Sequence, residues 1–224
     1  MSEIEDSLFI QFKHREHRDA LLDGELRVTQ QQYYRYLRSE VSDSLEGEQL
    51  LQANGERFTL FGNHSTYIWS SSAINKKELS EIKKFVDYDF GLLILEPNTF
   101  IEQVYESLTK TPILKNNAEI SFEPVVYSDK EQPMAEDKGK PLCRWTKPQG
   151  FSDEREFRLC VHNVPPMKFI KDYFPEELYR VEELHTPHEE VENKQTYYRL
   201  IFEITFDFDY ELYSFNGLVW FKDS

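Results

Sequence analysis

The stretch GFSDEREFRLCV, residues 150–161, sets Glu154 and Glu156 two positions apart among arginines, at the start of a run that reads as a strand. With that strand beginning near Glu156, the two-residue period puts both carboxylates on one face where the chain leaves a loop. Two carboxylates held there can orient a substrate hydroxyl and stabilise a developing positive charge. The pattern is also common in a chain that is 30% charged. There Glu154, Arg155, Glu156 and Arg158 would alternate into solvent ion pairs of little energetic worth. Both readings stand at the level of sequence.

Two further groups complete a set. FIQFKHR offers Arg15 with His14 beside it just past a first strand, and TYIWSSSA offers Ser70, Ser71 and Ser72 after an aromatic-rich strand. A cation, a run of hydroxyls and a carboxylate are what a site needs to hold a phosphate, position a ligand and stabilise a cationic centre. Glutamate, any residue, glutamate, then an apolar strand resembles the closing motif of arginine-directed ADP-ribosyltransferases. In that family the second glutamate holds a ribose hydroxyl of NAD and stabilises the oxocarbenium ion, and the first helps activate the acceptor. The order of the three elements agrees with the family, with Ser71 standing where its pattern has threonine. The resemblance implies NAD as substrate, Glu156 and Glu154 as catalytic groups, and Arg15, His14, Ser70, Ser71 and Ser72 around the dinucleotide. It also implies a split sheet. KPQGFSDEREFRL and ALLDGELRVT are similar, in addition, to a large uncharacterised bacterial family found in mobile-element and phage-defence settings, which implies that context and no particular reaction.

Other constellations are thinner. His14 and His17 share a helical spacing with no third ligand of obvious spacing, and His185 and His188 sit among glutamates, where a weak divalent-metal site is the alternative to plain surface histidines; surface histidines are the preferred reading, and no metal is expected. His64-Ser65-Thr66 looks like one half of a two-histidine phosphoesterase, whose mechanism needs a second half that is missing. Eight glycines include no phosphate-cradling fingerprint. QQQYYRYLRSE mixes tyrosines with Arg35 and Arg38, a surface that stacks bases or, more commonly, a helix face packed on a core.

Net charge is -15, from 41 acidic against 26 basic residues, which disfavours direct nucleic-acid binding and favours a protein partner with a basic surface. The acid is concentrated in the C-terminal quarter, 172–224, which holds thirteen acidic and four basic residues. A second functional class follows, a non-enzymatic acidic protein that mimics nucleic acid through Glu176, Glu177, Glu182, Glu183, Glu189, Glu190 and Glu192. A plain solubilising surface is the alternative. Two cysteines, Cys143 and Cys160, make no disulfide scaffold. No basic leader and no run of 18 apolar residues occur, so a cytoplasmic protein without a membrane span is expected.

The elements that must position these groups are readable from periodicity. SLFIQFK, ELRVT, RFTLF, STYIWS and AEISFEP read as strands, and FGLLILE reads as a central strand buried on both faces. HREHRDALLDG, QQQYYRYLRSE capped by Thr29, KKELSEIKKFVD and PNTFIEQVYESLTK read as helices. SDSLEGEQLLQANGE and DKEQPMAEDKGKP read as loops, and FNG near the end as a hairpin turn. The expectation is a single α+β domain over 1–224, a mixed or antiparallel central sheet with peripheral helices.

Overall fold

The computed structural model describes residues 6–36, 48–53, 56–61, 65–82, 84, 87–114, 118–127, 132–133, 146–147, 149–185, 196–217 and 219–223. Aromatic and β-branched runs form most of its strands. In chain order, β1 (Ser7–Phe12), α1 (Arg15–Leu22), β2 (Glu25–Gln30), β3 (Glu48–Ala53), β4 (Glu56–Phe61), β5 (Tyr67–Ile74) and β6 (Phe90–Ile94) come first. Then follow α2 (Pro97–Lys110), β7 (Glu119–Pro124), β8 (Val126–Tyr127), β9 (Gln132–Pro133), β10 (Thr146–Lys147) and β11 (Glu156–His162). The last are α3 (Met167–Tyr173), β12 (Val181–His185), β13 (Thr196–Glu203), β14 (Tyr210–Asn216) and β15 (Val219–Lys222).

Ten strands form one antiparallel sheet, with small helices around it, so the fold class is α+β. Its main path runs β12-β13-β2-β5-β1-β6-β14-β15. At β5 the path forks. The first part of one β5 edge takes β2, with Thr29 opposite Ile68 and Gln30 opposite Tyr67. The last part of the same edge takes β1, with Phe9 opposite Ser72 and Ser7 opposite Ile74. The other edge is covered by β11 from Tyr67 to Ser72, and β11 in turn pairs with β7. Trp69, Ser70 and Ser71 therefore lie in a gap between β1 and β2.

Alternation sorts the residues of this sheet. Leu8 and Ile10, Leu26 and Val28, Tyr67 and Trp69, Leu92 and Ile94, and Leu159 and Val161 share one buried cluster with Phe100, Ile101, Val104 and Leu108 of α2. Phe9, Ile74, Leu93 and Tyr213 form a smaller cluster on the opposite face, covered by Leu79 and Ile82. Ile68 and Cys160 lie on that second face too, beneath Tyr34. Between these two patches the second face is polar, and that is where the fork opens.

Several local expectations change. Gln31–Tyr36 is a 3-10 helix, and Thr29 is a strand residue whose hydroxyl accepts from Arg199 Nε at 3.1 Å instead of capping a helix. Lys76–Glu81 is also 3-10, closed by the Asn75 side chain accepting from the Lys77 N–H, although Leu79 and Ile82 still bury. Glu48–Ala53, expected as loop, is β3 paired with β4. The TYIWS strand runs on to Ile74, so all three serines are strand residues. On α2, Tyr105 is exposed while Phe100, Ile101, Val104 and Leu108 are buried. Phe85, Val86 and most of the DKEQPMAEDKGKP stretch lie outside the described residues.

Gly24 ends the α1 turn with a left-handed φ of +99°, and a Cβ there would meet the Ile204 carbonyl oxygen at 2.3 Å. Its own carbonyl accepts from the Ile204 N–H at 2.8 Å, which holds the α1–β2 turn against the segment after β13. Gly24→Ala is expected to lower the unfolding free energy by about 2 kcal/mol or more. Urea denaturation of the two chains measures it.

Candidate functional site

The fork holds a cleft of about 510 Å3. Residues 9–12 of β1, with Lys13, His14, His17 and Leu21, form one side, and Glu25, Arg27 and Thr29 of β2 form the other. Residues 68–72 of β5 lie between them, joined by Glu156 and Arg158 of β11, Lys147, Glu154 and Arg199, with Tyr34 and Tyr88 also lining the space.

Glu156 is the most constrained group in it. Opposite Ser72 in the ladder, it shares the cleft face with Ser70 and Arg158. One carboxylate oxygen accepts from Ser70 Oγ at 2.5 Å and from Arg158 Nε at 2.6 Å. The other accepts from Arg158 Nη2 at 3.1 Å and faces Lys147 Nζ at 3.0 Å. Burial alone would raise this carboxyl, but the charges of Arg158 and Lys147, with hydrogen bonds from Arg158 and Ser70, bring it down to about 2. Arg158 is only 1% exposed, so the pair is an interior ion pair, and losing one partner is costly.

Lys147 Nζ also lies 2.8 Å from Glu154, so one ammonium bridges both glutamates. Glu154 behaves in the opposite sense. Burial pushes its carboxyl up and the Glu156 charge adds to this, against the pull of Lys147. Two neighbouring carboxyls held apart in acidity suit two tasks, a fixed negative charge at Glu156 and a proton carrier at Glu154.

The charge of the cleft runs against that of the chain. Lys13, Arg27, Lys147, Arg158 and Arg199 line it against Glu25, Glu154 and Glu156, in a protein of net charge -15. Cations gathered in a concave space concentrate the field there and favour an anionic ligand.

The placement of the expected residues is uneven. Glu156, Ser70 and Ser72 share one sheet face, and His14 reaches the cleft from the N-terminus of α1. Ser71 borders the space, but alternation turns its side chain to the face of Trp69, where its hydroxyl donates to the Phe157 carbonyl at 3.3 Å. Glu154 reaches Lys147 from a 3-10 helix, Gln149–Glu154, because Arg155 takes a left-handed φ of +46°. That kink sends the Arg155 guanidinium outward to Glu78 at 2.5 Å. Arg15 is not among the cleft residues; it opens α1, exposed, 3.5 Å from Asp19. Arg27, Arg199, Lys147 and Tyr34 were not anticipated, and the only sequence signal for the first two is a polar position in an alternating strand.

Elsewhere, His162 is buried with its ring nitrogens 3.3 Å from Thr66 Oγ1 and 3.5 Å from Ser121 Oγ. His185 is exposed at the end of β12, and no group of three metal-ligating side chains occurs among the described residues. Glu177, Glu182 and Glu183 are ion-paired to Arg180, Arg199 and Lys171, while Glu189, Glu190, Glu192, His64, His188 and Cys143 lie outside the described residues. No helix among the described residues is long and apolar enough to cross a membrane. No family model matches the chain, and no curated protein or solved structure matches it.

Because the folded Glu156 carboxyl lies below its ordinary value of 4.5, the stability it adds is complete above about pH 4.5 and is lost as pH falls towards 2. Glu156→Gln is expected to flatten that part of the acid-unfolding profile. Arg158→Leu, which strands the buried carboxylate, is expected to cost about 3–5 kcal/mol at neutral pH. Equilibrium denaturation across pH measures both.

Proposed function

We propose that the fork cleft is the active site of an NAD-consuming transferase or glycohydrolase, acting in the bacterial or phage conflict setting that the sequence resemblance suggests. The observation that carries this reading is the Ser70–Glu156 hydrogen bond of 2.5 Å inside a cationic cleft of an acidic chain. In the proposed step the bond between the ribose anomeric carbon and the nicotinamide nitrogen breaks, and the electron pair leaves with nicotinamide. The positive charge left on the ribose is stabilised by the Glu156 carboxylate, which Arg158 and Lys147 hold in place. A ribose hydroxyl takes over the hydrogen bond that Ser70 donates. Water or an acceptor side chain then attacks the anomeric carbon and gives its proton to Glu154, whose pKa, raised by burial, makes its carboxylate the better proton acceptor. Arg15 has no part in this version, and the phosphates meet the cations of the cleft instead.

Nicotinamide release from NAD by the purified chain tests the reading. Glu156→Gln is expected to reduce release by about a hundredfold or more with the circular dichroism spectrum unchanged, Ser70→Ala to reduce it less, and Arg15→Ala to leave it within about twofold. Undiminished release by the Gln variant would put the activity elsewhere.

A further inference from the structure

We propose that the β2–β13 wall of the fork, built from Arg27, Thr29 and Arg199 with His17 above them, is a subsite for a diphosphate group. The inference stands whether or not Glu156 does chemistry. Arg199 lies directly opposite Thr29, and Arg27 directly opposite Ile201. The two arginines are therefore diagonal neighbours on one sheet face, roughly 7–8 Å apart at the backbone. Both line the cleft, as do Thr29 and His17. Two arginines on one wall of the cleft, each able to present a bidentate fork, suit the two phosphate groups of a diphosphate.

Three observations support the placement. The first is that both arginines lie within electrostatic reach of His17, which lines the same cleft. The His17 ring is held below the usual histidine range first by desolvation, then by Arg27 and His14, and further by Arg199, with Glu16 opposing. The second is that their present partners are replaceable. Arg27 pairs with Glu25 of its own strand and Arg199 with Glu182 of β12, and all four side chains are at least a quarter exposed, so solvent screens both pairs. The third is the alternation of β5. The Ala73 N–H donates to the Arg155 carbonyl on the β11 side, which turns the Ser70 peptide towards the gap that this wall faces. A ligand anchored on Arg27 and Arg199 would thus meet a strand backbone and the Glu156 carboxylate with the rest of its body.

Calorimetric titration with inorganic pyrophosphate and, in parallel, with ADP tests the proposal. Both are expected to bind the wild-type chain and to bind Arg27→Gln and Arg199→Gln about tenfold more weakly or worse, the loss of one charge-assisted contact. Lys222→Gln, remote from the cleft, is expected to bind as wild type. Tighter binding of ADP than of pyrophosphate assigns the subsite to a nucleotide, and equal binding assigns it to free diphosphate. Should a Gln variant fail to fold, the Lys variant, which keeps the charge and loses the fork, serves the same comparison. No binding by wild type, or binding weakened equally by Lys222→Gln or by none of the variants, would overturn the proposal. Diphosphate binding without nicotinamide release leaves this subsite standing and removes the transferase reading; release that ignores Arg27 and Arg199 does the reverse.

Discussion

One strand edge with two claimants organises this protein. β5 is eight residues long, and the edge it turns away from β11 is shared by β2 at one end and β1 at the other. Neither partner can extend along it without displacing the other, so the sheet divides and a concave space opens over Trp69, Ser70 and Ser71. Side-chain alternation then decides what faces that space. Trp69 is committed to the core with Phe100, which sends Ser70 and Ser72 to the opposite face, and a one-residue slip would exchange the two sets. The position of the serines is therefore as firmly specified as the core itself.

Electrostatics follows from the same division. A carboxylate at Glu156 is buried, and it stays ionised because Arg158, two residues on along the same strand, reaches back with two nitrogens. This pairing is local and needs no distant element to form. Lys147 and Ser70 come from elsewhere in the chain and complete the set, so the charge is fixed in direction as well as in sign. An ion pair of this type adds little net stability compared with an apolar replacement, which makes its presence in the interior more informative about chemistry than about folding.

Periodicity made much of this architecture legible. β6 reads as a continuous apolar run and is buried from Gly91 to Ile94, and α2 begins at Pro97 and buries Phe100, Ile101, Val104 and Leu108. The turn at Gly217, with φ of +70°, joins β14 to β15 where the FNG triplet stands. The proximity of Glu154 and Glu156 was also legible, although the route was not: a left-handed arginine carries no compositional mark, and the pleat expected between them is a kink. Arg27 and Arg199 were beyond reach for a different reason. Arg199 meets Thr29 across 170 residues of chain, through strand pairing that no local pattern records. Ser71 is the reverse case, since its inward direction follows from alternation once the strand is known to continue to Ile74.

A sheet that branches has three free margins where an unbranched one has two. Among the described strands these are β12, β15 and β7. Among the described strands each margin ends the sheet, and a sheet end is where an extended chain can add by backbone pairing. The margins are blunted accordingly. β7 presents exposed Glu119 and Glu123 and stops at Pro124; β12 presents Glu182, Glu183 and His185; β15 has only four residues and ends on Lys222. Part of the acidity of this chain is thus placed where like charge opposes the addition of a further strand to the sheet.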